Sequence, residues 1–342
     1  MPISTVSVII PCYNYGHFLN ECLDSVLSQH GVALRILIID DASTDDTPLI
    51  GGKIANRDQR VEFRRHTFNL GHIATYNEGL AWATGDYLLL LSADDMLRPG
   101  ALFRAARLMD AHPEVGMTYG RQITLRPGQL IQETCADDHE YRWWVQSREQ
   151  FIEASCKAYR NIVPTPTAVV RTRLQREIGG YRKELPHSGD MEMWLRIAAH
   201  APLGFIDTEQ AYYRIHTDNM NLRYADLKDL KQRKEAFDTL FREYGTRLAG
   251  SPSLQVLAER RLAEEALEAL WESHRLFDRG ETRTSRDYLE FALSANPGLK
   301  SHFSGKTMHW KHMMGPKVWE TLRPTVETLR ALRVINRSRS RA

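Results

Sequence analysis

Metal-ligand or disulfide spacing is missing from this chain: its four cysteines, Cys12, Cys22, Cys135 and Cys156, form no paired pattern. Cys12, beside a strand end, reads as a small packing residue. No apolar run approaches the ~20 residues that a membrane-spanning helix needs. The opening Met-Pro-Ile-Ser-Thr has neither a basic region nor an apolar stretch, so no secretory leader is expected. Charge is nearly balanced at +2, and no basic cluster precedes the C-terminal segment, so nucleic acid is not an expected partner. What remains is an ordinary globular composition, 42% apolar and 26% charged, in 342 residues. That length allows two domains and a sizeable core.

Against this background the stretch Ser92-Ala93-Asp94-Asp95 stands out. It follows an apolar run, residues 87–91, that reads as a buried strand. Two adjacent carboxylates at such a strand end repel unless a cation or proton intervenes. A divalent ion bridging to diphosphate oxygens is one solution; a solvated turn with Asp95 capping the next helix is the other. Two further β-branched segments end abruptly in polar residues: Val6-Ser7-Val8-Ile9-Ile10-Pro11-Cys12-Tyr13-Asn14 and Ile36-Leu37-Ile38-Ile39-Asp40-Asp41. Phe18, Leu19, Cys22, Val26 and Leu27 then recur at helical spacing. After the second segment, Ser43 or Thr44 is the expected helix cap, with Asp45 and Asp46 in the first turn. Strand, helix, strand, helix at this spacing predicts an α/β fold with a parallel sheet of βαβ units. The acidic pairs Asp40-Asp41 and Asp94-Asp95 then converge on one sheet edge, where open α/β sheets bind ligands.

With these motifs the chain resembles the glycosyltransferase family 2 enzymes of GT-A fold. The matching residues are 6–14, Ile39-Asp40-Asp41-Ala42-Ser43-Thr44-Asp45-Asp46-Thr47, Asn69-Leu70-Gly71, Asn77-Glu78-Gly79-Leu80 and Gly85-Asp86-Tyr87. Residues 92–95, Gly189-Asp190-Met191-Glu192-Met193-Trp194-Leu195 and Tyr213-Arg214-Ile215-His216 complete the set, in the family's order, over roughly residues 5–220. The resemblance implies inverting transfer of a sugar from a nucleotide diphosphate sugar to an acceptor hydroxyl. By motif match it implies that Pro11, Tyr13 and Asp41 hold the base and ribose, and that Asp94 contacts the nucleotide. Asp95 and His216 would hold a divalent ion, Mn²⁺ or Mg²⁺. Ser92 stands where the family often has Asp, which leaves the roles of Asp94 and Asp95 open. Asp190 falls on the catalytic base, although Gly189 replaces the usual preceding Glu.

The residue types suit that chemistry. An acceptor hydroxyl is a poor nucleophile, so a carboxylate must take its proton as the bond forms. The departing diphosphate gathers charge, which a metal and nearby donors stabilise. Asp190 at a helix start is also an ordinary N-cap, and His216 an ordinary surface histidine. His187 and Arg214 are further candidates. Trp143-Trp144 offers either a platform for an acceptor sugar or a core anchor. Residues 161–170 read as a strand, 174–178 as a helix, and 205–215 as a last strand returning His216 to the metal. Residues 11–16 hold one glycine and no Lys or Arg, which disfavours nucleotidyl transfer. A non-catalytic sugar-binding or scaffold protein is the other alternative.

The expected organisation is a catalytic domain over 1–223, divided into a nucleotide-sugar half (5–120) and an acceptor half (121–223). A helical appendage over 224–299 would pack on it or on a second subunit, which leaves a homo-oligomer open. Residues 300–342 hold ten Lys or Arg and two Glu, a net charge of +8, interleaved with Trp310, Trp319 and leucines. That tail suits docking on an anionic membrane or is a solvated terminus. Nucleotide sugars being cytoplasmic in bacteria, the expected location is the cytoplasm, with peripheral contact at the inner membrane face where a lipid-linked acceptor would be presented.

Overall fold

The computed structural model describes residues 3–129, 141–217, 219, 227–248 and 250–322. Cys135 and the basic residues beyond 322 lie outside them. The chain divides into two compact units, Met1–Leu257 and Ala258–Ala342.

In the first unit, β1 (Thr5–Cys12), β2 (Ala33–Asp40), β3 (Val61–Arg65) and β4 (Tyr87–Leu90) are parallel. The sheet continues through β8 (Val169–Arg171), antiparallel to both neighbours, to β6 (Met117–Leu125) and β9 (Leu203–Arg214), which run parallel. The short β5 (Met96–Leu97) and β7 (Trp143–Gln146) pair antiparallel with β9. The order is β3-β2-β1-β4-β8-β6-β9-β5, with β7 also on β9.

Both faces of β1 are covered, which explains its unbroken apolar run. Val6, Val8, Ile10 and Cys12 point to one core, shared with Leu19, Cys22, Leu23 and Val26 of α1 (Gly16–Leu27). Ile9, of opposite parity, meets α3 (His72–Trp82) at Gly79, where an added Cβ would stand 2.2 Å from Ile9 Cγ2. Gly79 therefore lets α3 lie directly on the sheet. Pro11 is tolerated in a central strand because β4 pairs only as far as Ile9, leaving no ladder partner to require its missing N–H.

Two local expectations change. The helix after β2 is α2 (Thr47–Ala55), and neither Ser43 nor Thr44 caps it. Asp45 does the equivalent work, accepting from Thr47 N at 3.0 Å and from Gly16 N at 3.0 Å, and so ties α2 to the start of α1. The expected strand over 161–170 shrinks to β8, because Pro164 and Pro166 remove ladder donors and a 3₁₀ turn occupies Thr165–Thr167.

The helices α4 (Ala101–Ala111), α5 (Arg148–Ala158), α6 (Thr172–Ile178) and α7 (Gly189–Ala198) follow in chain order. The next, α8 (Leu227–Tyr244), packs on α7. It therefore belongs to the first unit, although the sequence pattern groups it with the appendage.

The second unit takes most of α9 (Ser251–Asp278), with α10 (Thr282–Ala295) and α11 (Phe303–Met314). Ala266, Leu270, Phe277, Leu289, Ala292 and Met308 are buried in it. Ser273 and Ser285 each donate to the other's carbonyl at 2.7 Å, a reciprocal pair joining α9 to α10. The expected tail divides: Trp319 is buried, with Lys311 Nζ 4.7 Å from its ring centre, whereas Trp310 is 65% exposed.

Candidate active site

The site forms where β1, β2 and β4 release the chain at one edge. Cys12 pairs with Asp40, and Leu91 N donates to Ile9 O, so Tyr13, Asp41 and residues 92–95 all emerge there. Asn14 and Ala42 carry φ of 59° and 60°, uncommon for non-glycine residues. The two strand ends are stitched together: Ser43 Oγ accepts from Asn14 N at 2.9 Å, and Asn14 Oδ1 from Thr44 N at 2.8 Å. Pro11 is buried in the sheet and Tyr13 is 44% exposed.

Asp41 is committed to its surroundings. Its carboxylate accepts from Leu70 N at 2.7 Å and Gly71 N at 2.9 Å, and His66 Nδ1 lies 2.7 Å away. Gly71 has φ of 84°, which suits glycine. Asn69 Oδ1 accepts from Gly71 N at 3.0 Å, so Asn69-Leu70-Gly71 is a loop clipped onto the end of β2. The far side of His66, Nε2, is 2.8 Å from Glu78. Burial pushes the imidazole pKa down, but the bonds to Asp41 and Glu78 outweigh it and lift the pKa above its usual value.

The acidic pair is buried, Asp94 6% and Asp95 4% exposed. His216 Nε2 lies 2.9 Å from Asp94 Oδ2, and Asp95 Oδ1 accepts from Arg214 N at 3.0 Å. The histidine thus meets Asp94 rather than Asp95. Arg214 Nε also donates to Asp94 O at 3.0 Å, and its guanidinium lies 4.7 Å from the Phe18 ring centre. Burial, then the charge of Asp94, pushes the Asp95 carboxyl well above the usual carboxylate range. Among the described residues Asp94 Oδ1 is buried and meets no hydrogen-bond partner. Among the described residues no three His, Cys, Asp or Glu side chains gather as a metal site.

Asp94, Asp95, His187 and Asp190 line one cavity of about 640 Å³. Asp190 is the second residue of α7, and Thr165 Oγ1 donates to its Oδ2 at 2.9 Å. Burial raises its pKa, while hydrogen bonds from Thr165 and the Tyr181 hydroxyl pull it back. At Gly189 an added Cβ would stand 3.2 Å from the Tyr181 ring, a tight approach. His187 Nε2 is 3.0 Å from Asp229 of α8.

Trp143 and Trp144 are not among the residues lining the cavity. They sit on β7 opposite Ile206 and Phe205, near the start of β9, with Trp143 edge-on to His112 and Trp144 against Phe205. Tyr213, which does line the cavity, is roughly 25 Å farther along β9 at about 3.3 Å per residue. The structure thus places this pair apart from the cavity that holds Asp94, Asp95 and Asp190. The residues that sequence reasoning passed over are Thr165, Tyr181, Asn219, Asp229 and Gln232. Thr165, Asp229 and Gln232 come from elements separate from α7, whereas Tyr181 and Asn219 are near neighbours in sequence of Asp190 and His216 whose side-chain contacts only the fold sets.

A model of glycosyl transferase family 2 matches residues 7–171. An uncharacterized protein of Mycobacterium tuberculosis is 30% identical over 220 residues, covering 62% of this chain and 67% of its own. A chondroitin synthase of Pasteurella multocida is 25% identical over 226 residues, 66% of this chain but only 22% of that much longer protein. The S. aureus TarS 1-349 structure in complex with UDP-GlcNAc superposes with a TM-score of 0.62 at 16% identity, over 94% of this chain and 92% of that one. At that identity the likeness is one of fold, the GT-A α/β sheet followed by helices. Taken with the motifs at the strand ends, these matches show that the chain belongs to glycosyltransferase family 2.

Proposed function

We propose that this glycosyltransferase moves a hexosyl or related sugar, with inversion, from a nucleotide diphosphate sugar to an acceptor hydroxyl. The supporting observation is that one cavity is lined both by the acidic pair Asp94-Asp95 and by Asp190, a carboxylate kept basic by burial. The donor's base would stack on Tyr13 beside Pro11, with Asp41 and its clipped loop beneath and Asp94 toward the ribose. The sugar then projects toward Asp190. Asp190 takes the acceptor's proton as its oxygen bonds to the anomeric carbon, on the face opposite the departing diphosphate.

A divalent ion fits the acidic pair, because Asp94 Oδ1 is a buried acceptor with no donor among the described residues and Asp95 is a carboxylate burdened by a like charge. Asp95 and Asp94, with His216 behind Asp94, would hold Mn²⁺ or Mg²⁺, which supplies charge stabilisation for the diphosphate. His187, on the cavity wall, would face the acceptor.

The bound UDP-GlcNAc of TarS supports a nucleotide-sugar donor, and the chondroitin synthase match supports synthesis of a surface polysaccharide or glycoconjugate. We place the enzyme in the cytoplasm. No helix among the described residues is long and apolar enough to cross a membrane. The exposed Lys306, His309, Trp310, Met313 and Lys317 follow helical spacing on and just past α11 and suit peripheral contact with anionic lipid near a lipid-linked acceptor.

The test is nucleotide release from a panel of UDP, GDP and dTDP sugars by wild type and Asp190→Asn. Turnover with one donor, lost in the variant while nucleotide binding persists, supports the reading. Binding without turnover across donors and acceptors would instead make the chain a sugar-nucleotide-binding module.

A further inference from the structure

We propose that Gln232 of α8 is a positioning residue that fixes the aim of Asp190; this rests on Asp190 being the base. The Gln232 Oε1 accepts two consecutive backbone N–H groups, His187 N at 2.8 Å and Ser188 N at 3.0 Å. Those amides immediately precede Gly189, the first residue of α7, and Asp190 follows.

The need for such a clamp follows from Gly189. A Cβ there would stand 3.2 Å from the Tyr181 ring, a tight approach that glycine avoids. Glycine is the residue with the widest backbone freedom. The joint just before the base is therefore intrinsically loose, and its orientation must be set from outside. Gln232 does this by holding the preceding peptide from α8.

Neighbouring contacts reinforce the grip. Asp229, one turn earlier on the same helix face, holds His187 Nε2 at 3.0 Å. Arg233 Nε is 2.9 Å from Asp229 Oδ2, and Arg233 Nη1 donates to Tyr159 O at 2.7 Å, which anchors that turn of α8. From the other side, His72 Nε2 lies 2.7 Å from Pro186 O. The loop 186–188 is thus held between α3 and α8.

An uncharged acceptor suits the place. A carboxylate at 232 would keep the geometry but add a like charge near Asp190 and raise its pKa further. This separates aim from charge in one series of variants.

The experiment compares wild type, Gln232→Leu, Gln232→Glu and Asp190→Asn, with the donor that releases nucleotide fastest from the panel above. Gln232→Leu should lower kcat about 10–100-fold, the scale of a misaimed catalytic group, with the Kd of the matching nucleoside diphosphate unchanged. Gln232→Glu should recover most of kcat at alkaline pH, with the acid limb of the profile moved upward. Hydrogen exchange at the His187 and Ser188 amides should quicken in Gln232→Leu and stay slow in Gln232→Glu. A Gln232→Leu enzyme with kcat within twofold of wild type, or with unchanged exchange at those amides, overturns the clamp. Equal losses in kcat and nucleotide affinity also overturn it, since they mark general disruption. If Gln232→Leu does not fold, Gln232→Asn, one methylene too short, is judged by the same criteria. An active Asp190→Asn overturns the base reading itself, whereas an inactive Asp190→Asn beside a fully active Gln232→Leu overturns the clamp alone.

Discussion

Asn77 answers both halves of the Tyr181 backbone: its Nδ2 donates to Tyr181 O at 3.0 Å and its Oδ1 accepts from Tyr181 N at 2.7 Å. The side chain thus stands in for a paired strand residue, across 104 positions of sequence. It couples α3, which packs on β1, to the segment whose hydroxyl reaches Asp190. The Asn77-Glu78-Gly79 motif thereby gains three separate tasks: Asn77 holds Tyr181, Glu78 holds His66, and Gly79 admits Ile9.

Asn77→Ala should leave the Tyr181 amide and carbonyl without these partners. A loss of about 1–3 kcal/mol is expected from each buried polar group so stranded. Urea unfolding should show a lower midpoint with unchanged slope, and transfer should fall as Tyr181 shifts. An unchanged midpoint would mean that water replaces the amide without cost.

Asp190→Asn should fold, bind nucleotide as wild type does, and lose about 10²–10⁴-fold in transfer. In wild type the base must be ionised, and burial raises its pKa, so activity should fall toward acid with a midpoint above the ~3.9 of an ordinary Asp. Stability carries the matching sign. A carboxylate whose folded pKa is raised binds protons more tightly in the folded state, so its ionisation costs stability as pH rises from ~3.9 through the raised value. The variant lacks that cost and should gain on wild type in thermal midpoint across this window. A constant difference between the two would contradict the pKa assignment.

Divalent ion should raise the thermal midpoint and restore activity removed by chelator. Saturation at 100 times Kd corresponds to about 2.7 kcal/mol. Asp95→Ala and Asp94→Ala should each lose this stabilisation, and His216→Ala should weaken it. Full turnover in excess chelator would exclude a metal role for the pair.

Glu192→Gln should destabilise strongly without touching the cavity. Glu192 is 2% exposed and bridges Arg182 at 3.0 Å and Arg196 at 2.7 Å. Removing its charge leaves the buried Arg196 short of a counter-charge, a change that costs about 3–5 kcal/mol in comparable sites. Calorimetry should show the drop; a shift of only a degree or two would mean that Arg182 and Arg196 relax toward solvent.

Full-length protein should sediment with vesicles containing anionic lipid, and less so at high salt, because exposed charges are screened. Trp310 and Met313, 65% and 75% exposed, should supply burial that salt does not screen. Trp310→Glu with Met313→Glu should abolish pelleting. Pelleting equal to wild type would place the contact elsewhere, and no pelleting of wild type at low salt would end the membrane reading.

The α/β pattern, the converging strand ends and the acidic pairs were legible in the sequence, because strand parity and strand termini are local properties of consecutive residues. The sequence also placed Asp190 at a helix start. It did not show that Trp143-Trp144 sits opposite Ile206 and Phe205, near the start of β9 and outside the cavity, because a pairing register made with a segment so far along the chain leaves no local mark. Nor did it show that α8 belongs with the first unit. Its helical period is the same whether it covers a separate appendage or grips the loop before Asp190. The sequence alone determined which residues could do chemistry at one sheet edge. Only the tertiary structure decided which of them meet, since His216 reaches Asp94, and Gln232 reaches the loop before Asp190, through contacts whose geometry exists only once distant segments pack.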